Sequence, residues 1–138
     1  MPNTIVPDLD ISIVIPVYNE RDNLVPLEEK LETELSKLSM TYEIILVDDG
    51  STDGSPHIIN SIKKNNPRLK LIRFGNNHGQ SAAFAAGFKA ARGKIFVTLD
   101  ADLQNNPADI PLLLEKMEEF DVVCGWRFKR NDPWIKRV

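Results

Sequence analysis

Residues 42–54 read Tyr-Glu-Ile-Ile-Leu-Val-Asp-Asp-Gly-Ser-Thr-Asp-Gly, an apolar run that ends abruptly in acidic and turn-forming residues. The same change recurs at residues 94–102, where Lys-Ile-Phe-Val-Thr-Leu is followed by Asp-Ala-Asp. Short apolar runs bounded by turn residues are typical of strands in a parallel sheet, and open α/β sheets bind ligands at the carboxyl ends of their strands. The two stretches therefore predict an α/β fold with acidic residues along one edge of its sheet.

The rest of the apolar pattern alternates strands with helices, which is typical of a parallel α/β sheet. Strands are predicted at residues 11–17, 42–47, 69–74, 94–99 and 121–126. Helices are predicted where leucines recur from Leu24 to Leu38, after Pro56 up to the turn at residues 65–67, at residues 81–91, and from Pro107 to Glu118. Because crossovers are right-handed in a doubly wound sheet, the first strand should lie between the second and the fourth. The ends of these three strands are then expected to meet in one crevice.

Length and composition fit one soluble globular domain. The chain has 138 residues, of which 42% are apolar and 27% charged, so disorder is not expected. No apolar run approaches the roughly 18 residues that span a bilayer, and residues 1–4 lack the features of a signal peptide. The net charge of −3 is too acidic for nucleic-acid binding. The lone Cys124 can form no internal disulfide, and we expect a small buried side chain there.

The acidic residues after the second and fourth predicted strands indicate a metal site. Four or five carboxylates at one sheet edge repel one another unless a cation lies among them, and a divalent ion with oxygen ligands is the usual solution. The spacing of Asp100 and Asp102 lets two carboxylates reach one cation, or bridge a metal and a ligand. An acid directly after the second strand can instead accept hydrogen bonds from a base or a ribose. The alternative is that these Asp, Gly and Ser residues only form tight turns.

The end of the first predicted strand excludes two common nucleotide sites. Residues 16–20 read Pro-Val-Tyr-Asn-Glu and contain no glycine. A Rossmann loop needs glycines where its backbone approaches a pyrophosphate, and a Walker A loop needs a lysine as well, so a dehydrogenase and a P-loop enzyme are both disfavoured. A bound divalent metal is then the simplest way to meet the charge of a phosphorylated ligand.

Three motifs resemble the ordered landmarks of family 2 glycosyltransferases with the GT-A fold: residues 15–20, residues 47–54 and residues 100–104. Three further runs are more narrowly similar to polyprenol-phosphate glycosyltransferases, which include the dolichol-phosphate mannose synthases and the bacterial undecaprenyl-phosphate sugar transferases: residues 74–83, Leu103-Gln104-x-x-Pro107 and Val122-Val123-x-Gly125-x-Arg127. The sequence departs from this pattern at Asn105-Asn106, where relatives often have an acid and a second proline.

The resemblance extends over about residues 10–130. It implies an α/β fold of the GT-A (Rossmann-like) type, with a mainly parallel nucleotide-sugar-binding sheet and helices on both faces. Residues 1–138 would form a single family 2 domain, its N-terminal, donor-binding part. Because family members continue well past this point, the acceptor half is expected to be truncated.

The resemblance also implies an activity, a metal and a set of site residues. The chain would be the core of a metal-dependent, inverting enzyme that binds a UDP- or GDP-linked sugar and passes the sugar to a polyprenyl (dolichyl or undecaprenyl) phosphate. Mg²⁺ or Mn²⁺ would lie on Asp100, Asp102 and Gln104. The donor would be bound by Pro16, Tyr18, Glu20, Asp49, Asp53, Gly79, Gln80, Asp100 and Ala101.

Asp102 and Arg127 are the expected catalytic residues, and Arg127 and Arg130 match the stretch that meets the acceptor phosphate in relatives. A phosphate monoester has a second pKa of about 6 and is already anionic at neutral pH, so no catalytic base is expected. Such an acceptor needs a guanidinium group that positions it.

Residues 128–138 are predicted to begin a basic and aromatic segment that serves the acceptor site or a membrane interface. Residues 124–138 contain five basic residues and one acid, a composition that also suits a solvated strand end. The chain itself is expected to be soluble, and the full-length protein to act at the cytoplasmic face of a membrane in the synthesis of cell envelope glycans.

Two other functions remain open on the sequence. One is a catalytically incomplete module that binds a nucleotide sugar without turnover. The other is a phosphoacceptor receiver domain, which has clustered acids on an α/β sheet of similar size. A receiver domain should have its acid pair after the first strand and a lysine after the fifth, whereas this chain has residues 18–20, Tyr-Asn-Glu, and residues 125–127, Gly-Trp-Arg. The receiver reading is therefore disfavoured.

Overall fold

The computed structural model describes residues 8–125, which form a parallel sheet with helices on both faces. The strands are β1 (Leu9–Val17), β2 (Tyr42–Asp48), β3 (Leu69–Arg73) and β4 (Gly93–Thr98). The helices are α1 (Leu24–Leu35), α2 (Ser55–Asn65), α3 (Gln80–Ala90) and α4 (Ile110–Lys116), with 3₁₀ turns at Arg21–Asn23 and Pro107–Asp109. The strand order is β3-β2-β1-β4, which confirms that the first strand lies between the second and the fourth.

The larger part of the core fills the sheet face that α1 and α2 cover. The leucines of α1 recur every three or four residues, so that Leu24, Leu27, Leu31 and Leu35 all lie on one buried side of the helix. They pack against Ile11, Ile13 and Ile15 of β1, which alternate along the strand and point to this face.

The opposite face is covered by α3, which packs unusually close to the sheet. A Cβ atom built on Gly87 would lie 2.3 Å from Cγ1 of Val14 in β1, so only glycine fits at this contact. Ala83 lies buried against the same strand residue, together with Val47 of β2. The small residues of α3 thus fix its distance from the sheet, and with it the position of its first turn.

A polar network ties the four strands together near their amino ends. The carboxylate of Glu43, which is 2% exposed, accepts hydrogen bonds from the Ser12 hydroxyl (2.7 Å) and the Arg92 backbone amide (2.7 Å) and pairs with Lys70. The Gly93 amide donates to Ser12 Oγ (2.7 Å). Burial alone would raise the pKa of Glu43, but the hydrogen bonds from Lys70, Ser12 and the Arg92 amide outweigh burial and hold this pKa below its ordinary value.

Two expectations from the sequence were wrong at the carboxyl-terminal end of the described region. Residues 121–125 are not a strand, because an apolar run becomes a strand only where it pairs with a neighbour, and within residues 8–125 this run pairs with none. Residue 126, the last of the predicted strand, lies outside the described residues. Cys124 is exposed rather than buried, since the segment that carries it is not packed into the sheet.

Among the described helices, none combines the length and the apolar character that a bilayer span requires.

Candidate functional site

A cavity of about 370 Å³ opens at the carboxyl end of the sheet, where the strand order brings the ends of β1, β2 and β4 together. Nine of the thirteen predicted site residues line it: Pro16, Tyr18, Glu20, Asp49, Gly79, Gln80, Asp100, Ala101 and Asp102. Asp53 and Gln104 do not line this cavity, and Arg127 and Arg130 lie outside the described residues. The remaining lining residues are Val17 and Asn77.

Asp49 is the first residue after β2, and its side chain is 4% exposed. Its carboxylate accepts two backbone hydrogen bonds, from His78 to Oδ1 (2.7 Å) and from Gly79 to Oδ2 (3.0 Å). Its own amide donates to the Val17 carbonyl (2.8 Å), which extends the sheet by one residue. The carboxylate is thus fixed between the end of β1 and the start of α3, facing the cavity.

Gly50 allows this arrangement because two loops meet there. Its φ is +75°, and a Cβ at this position would lie 2.5 Å from the carbonyl carbon of Asn76 and 2.6 Å from the amide nitrogen of Asn77. A side chain of any size is therefore excluded. The Asn77 side chain donates to the Asp49 carbonyl (3.3 Å), so the loop after β3 is tied to the loop after β2. A contact between two loops has no periodic signal in the sequence, so it could not be predicted.

The residues that follow β4 supply a pair of carboxylates. Asp100 accepts a hydrogen bond at Oδ1 from Gln80 Nε2 (3.0 Å), and Asp102 accepts one at Oδ1 from the Gln104 amide (3.1 Å). In the described part of the chain, Oδ2 of each carboxylate accepts no hydrogen bond. Each aspartate therefore presents one engaged and one available oxygen.

This pair fits a metal that is shared with a phosphorylated ligand. Within residues 8–125 no group of three or more His, Cys, Asp or Glu side chains is arranged to hold an ion, so the acids do not form the larger cluster expected from the sequence. Mg²⁺ is usually bound by one or two carboxylates, with substrate phosphates and water completing the octahedron. Two available oxygens on Asp100 and Asp102 match this requirement, and Gln104 follows two residues later.

Asp53 lies in a neighbouring position and is occupied by the protein itself. Its Oδ1 accepts hydrogen bonds from the Ser55 hydroxyl (2.6 Å) and amide (3.0 Å), and its Oδ2 accepts one from the Arg21 amide (3.0 Å). Burial would raise the pKa of Asp53, but these hydrogen bonds outweigh burial and lower this pKa. The carboxylate therefore joins the first turn of α2 to the loop after β1.

Asn19 strengthens the same junction. It has a left-handed backbone (φ 52°), which asparagine tolerates better than most residues. Its side-chain oxygen accepts from the Thr52 amide (2.8 Å), and its own amide donates to Ser51 Oγ (2.9 Å). The interlocked loops hold the preceding residue, Tyr18, at the mouth of the cavity with its side chain 48% exposed.

Asp48, the other acid of the pair after β2, is separate from the cavity. It is completely buried and points to the α1 and α2 face of the sheet, where Ile44 and Leu46 of the same strand also point. Neither carboxylate oxygen accepts a hydrogen bond from residues 8–125. Adjacent acids in the sequence thus face opposite sides of the sheet and cannot bind one ligand.

Residues 12–137 match the family model described as glycosyl transferase family 2. The chain is 43% identical over 130 residues to the undecaprenyl-phosphate 4-deoxy-4-formamido-L-arabinose transferase of Aeromonas hydrophila. That alignment covers 93% of this chain and 40% of the relative, so the chain spans about two fifths of the length of that protein.

Three solved structures are similar to the described fold. The mannosyltransferase PcManGT from Pyrobaculum calidifontis, in complex with GDP-Man and Mn²⁺, has a TM-score of 0.57 at 27% identity, over 70% of this chain and 28% of that one. S. aureus TarS 1–349, in complex with UDP-GlcNAc, has a TM-score of 0.62 at 24% identity, over 80% and 31%. Mannosyl-3-phosphoglycerate synthase from Rubrobacter xylanophilus has a TM-score of 0.67 at 20% identity, over 80% and 36%. The last two similarities concern the fold alone.

Proposed function

The chain belongs to glycosyl transferase family 2 and has the GT-A fold, and we propose that it is the donor-binding core of an inverting, metal-dependent enzyme that transfers a sugar from a nucleotide diphosphate to a polyprenyl phosphate. The observation that carries this proposal is the cavity that Asp49, Asp100 and Asp102 line together, with the start of α3 in contact with Asp49 through Gly79 and with Asp100 through Gln80. One side suits a nucleoside and the other suits a metal-bound diphosphate.

On the nucleoside side, each Asp49 oxygen already accepts one backbone hydrogen bond, and its second lone pair accepts one from an N–H group of the base or from a ribose hydroxyl. Its orientation is already set by two backbone amides, so little ordering is required on binding. The half-exposed ring of Tyr18 stacks on the base, while Pro16 and Glu20 line the wall beside it. Asp53 contributes indirectly, because it holds the loop that carries Tyr18 and Glu20.

On the diphosphate side, Asp100 and Asp102 would hold Mg²⁺ or Mn²⁺, and Gln104, which does not line the cavity, would turn toward the ion to serve as a third oxygen donor. When bound, such an ion serves as a Lewis acid that stabilises the charge on the departing nucleotide diphosphate. Gly79, Gln80 and Ala101 line the cavity between the two carboxylate sites and border the donor. The complex of PcManGT with GDP-Man and Mn²⁺ supports this division, since a nucleotide sugar and a divalent metal occur together in that relative.

The acceptor is a polyprenyl phosphate, as the name of the Aeromonas relative indicates for that protein. An oxygen of the acceptor phosphate forms a bond to C1 of the sugar while the bond from C1 to the nucleotide diphosphate breaks, which inverts the configuration at C1. The phosphate is already anionic, so no side chain need remove a proton. Arg127 and Arg130 position it, and the segment 128–138 begins the acceptor or membrane-interface part at the cytoplasmic face of the membrane.

Calorimetric titration of the chain with UDP, GDP and their sugar conjugates, with and without Mn²⁺, tests the donor site. We expect one nucleotide class to bind in a metal-dependent manner and Asp102→Asn to lose that binding. Asp109→Asn removes the same charge seven residues away, outside the cavity lining, and should bind as the parent chain does. If the folded parent chain binds none of these nucleotides, the donor-site proposal is refuted.

A second candidate is a module that binds the donor without turnover. The donor and metal residues that such a module requires lie together in the described cavity. A transfer assay with a short-chain polyprenyl phosphate separates the two candidates. Sugar transfer supports the enzyme, whereas metal-dependent donor binding without transfer supports the module.

A further inference from the structure

We propose that Asn105 and Gln80 are positioning residues that hold the backbone and the carboxylate of Asp100 in the geometry required for metal binding, an inference that rests on the proposed function. Both side chains contact Asp100 directly. Asn105 Oδ1 accepts a hydrogen bond from the Asp100 amide (3.2 Å), and Gln80 Nε2 donates one to Asp100 Oδ1 (3.0 Å).

The Asn105 contact closes the loop that contains all three proposed metal ligands. The loop begins at Asp100 and returns to the same residue through the side chain of Asn105 five positions later. Inside it, the Gln104 amide donates to Asp102 Oδ1 (3.1 Å), which makes a second, smaller closure. The backbone on both sides of Asp102 is therefore tied down by side-chain acceptors.

The residue in the middle of this loop, Leu103, has a strained backbone conformation. Leu103 has φ +63°, a left-handed conformation that leucine rarely adopts. Its side chain packs against the core on the α1 face of the sheet, which anchors the loop. Such a backbone conformation persists only where the surrounding structure holds it. At Leu103 the core contact of the side chain and the hydrogen bond between Asn105 and Asp100 are the interactions that hold it.

The Gln80 contact joins the same carboxylate to the other half of the site. Gln80 is the first residue of α3, and the preceding Gly79 donates its amide to Asp49. One turn of chain therefore contacts the nucleoside-side and the metal-side carboxylates. With Oδ1 of Asp100 occupied by Gln80, Oδ2 is the oxygen left to face the cation.

Mn²⁺ binding to the full chain, measured by the electron paramagnetic resonance signal of free Mn²⁺ with UDP or, separately, GDP present, tests the inference. Partners that orient metal ligands typically change metal affinity by 10- to 100-fold when they are removed. We expect Asn105→Ala to weaken Mn²⁺ binding about ten-fold. Asn105→Asp keeps an acceptor for the Asp100 amide and should restore binding to within about three-fold of the parent chain, which a merely structural role of Asn105 would not predict.

Asn106→Ala is the matched control. Asn106 makes the same kind of contact one residue later: its side chain accepts from the Ala108 backbone amide (3.0 Å) at the start of a 3₁₀ turn, and it does not line the cavity. It should leave Mn²⁺ affinity unchanged. Equal weakening by Asn105→Ala and Asn106→Ala, or no weakening by Asn105→Ala in a folded sample, would overturn the inference.

Gln80→Ala is the second variant, and because Gln80 is exposed it should fold even where Asn105→Ala does not. We expect weaker Mn²⁺ binding there too, and parent-like affinity would overturn the role of Gln80. If the parent chain binds no Mn²⁺ with either nucleotide, the proposed function fails and the inference fails with it. If the parent chain and all variants bind Mn²⁺ with the same affinity, the inference is refuted and the proposed function is not.

Discussion

Replacement of Gly50 by alanine should destabilise the chain far more than replacement of Gly54 or Gly75 in the neighbouring loops. The added Cβ would lie 2.5 Å from the carbonyl carbon of Asn76, whereas ordinary contacts of this kind begin at 3.4 Å. The loop that carries residues 76–78 must therefore move by about 0.9 Å. The hydrogen bond from the His78 amide to Asp49, now 2.7 Å, would lengthen to about 3.6 Å and be lost.

The expected loss of stability follows from these two effects. A hydrogen bond to a charged group contributes about 1.5–3 kcal/mol, and a left-handed backbone costs a residue with a Cβ about 1 kcal/mol. Gly50→Ala should therefore lower the free energy of unfolding by about 3 kcal/mol. For a domain of this size that is a fall in Tm of roughly 12 °C, since 1 kcal/mol corresponds to roughly 4 °C.

Substitutions at two other glycines, Gly54 and Gly75, distinguish the effect of the close contact from the effect of backbone strain. Gly54 also has a positive φ (+88°), but a Cβ there meets only the flexible Arg21 side chain at 3.7 Å, so Gly54→Ala should cost about 1 kcal/mol. Gly75 has neither a positive φ nor a neighbour within 4 Å, and Gly75→Ala should be neutral. Thermal unfolding of the three variants, with calorimetric titration of nucleotide, provides the measurement. If Gly50→Ala is as stable as Gly54→Ala and binds nucleotide equally well, the argument that these two loops support Asp49 is wrong.

Two further predictions concern the strand network and the acceptor. Glu43→Gln removes a buried charge that pairs with Lys70 and should lower the free energy of unfolding in urea at pH 7 by about 2 kcal/mol. The folded pKa of Glu43 lies below its ordinary value of 4.5, so the stability that the carboxylate contributes is present above pH 4.5 and is lost as the pH falls through the folded pKa. The variant should therefore lose less stability than the parent chain between pH 5 and pH 3. Identical pH profiles of the two would contradict this prediction. Arg127→Ala should reduce sugar transfer to a polyprenyl phosphate while nucleotide binding stays unchanged, with Arg137→Ala as the control for charge; equal loss of both activities would remove Arg127 from the acceptor site.

The sequence predicted the sheet well because its signals are local and periodic. Alternating isoleucines in β1 and regularly spaced leucines in α1 each identify a buried face without reference to the rest of the chain. Right-handed crossovers then limit the strand order to one that brings the ends of β1, β2 and β4 together. Nine predicted site residues meet in one cavity for this reason.

The parts that could not be predicted depend on contacts between loops. The contact of the Asp53 carboxylate with Ser55 is the local turn pattern of Asp-Gly-Ser, but nothing in the sequence around Asp53 indicates its contact with the Arg21 backbone amide, 32 positions earlier. The separate directions of Asp48 and Asp49 follow from side-chain alternation along the strand, but which of the two faces the ligand depends on which face of the sheet each helix covers. The run at residues 121–125 failed as a strand because sheet pairing needs a partner as well as an apolar pattern.

The central position of β1 has a consequence for how the chain folds. β1 pairs with β4 through contacts such as Ile11 with Ile95, which close a loop of more than 80 residues, whereas its contacts with β2 are much nearer in the chain. Long loop closure carries an entropic cost and slows folding, so β4 is expected to join the sheet late. During synthesis, the edge of β1 that pairs with β4 would remain unpaired until residue 98 has left the ribosome. Because Asp100 and Asp102 follow β4, a ligand that needs them binds only chains in which β4 has joined the sheet, and so it stabilises that state.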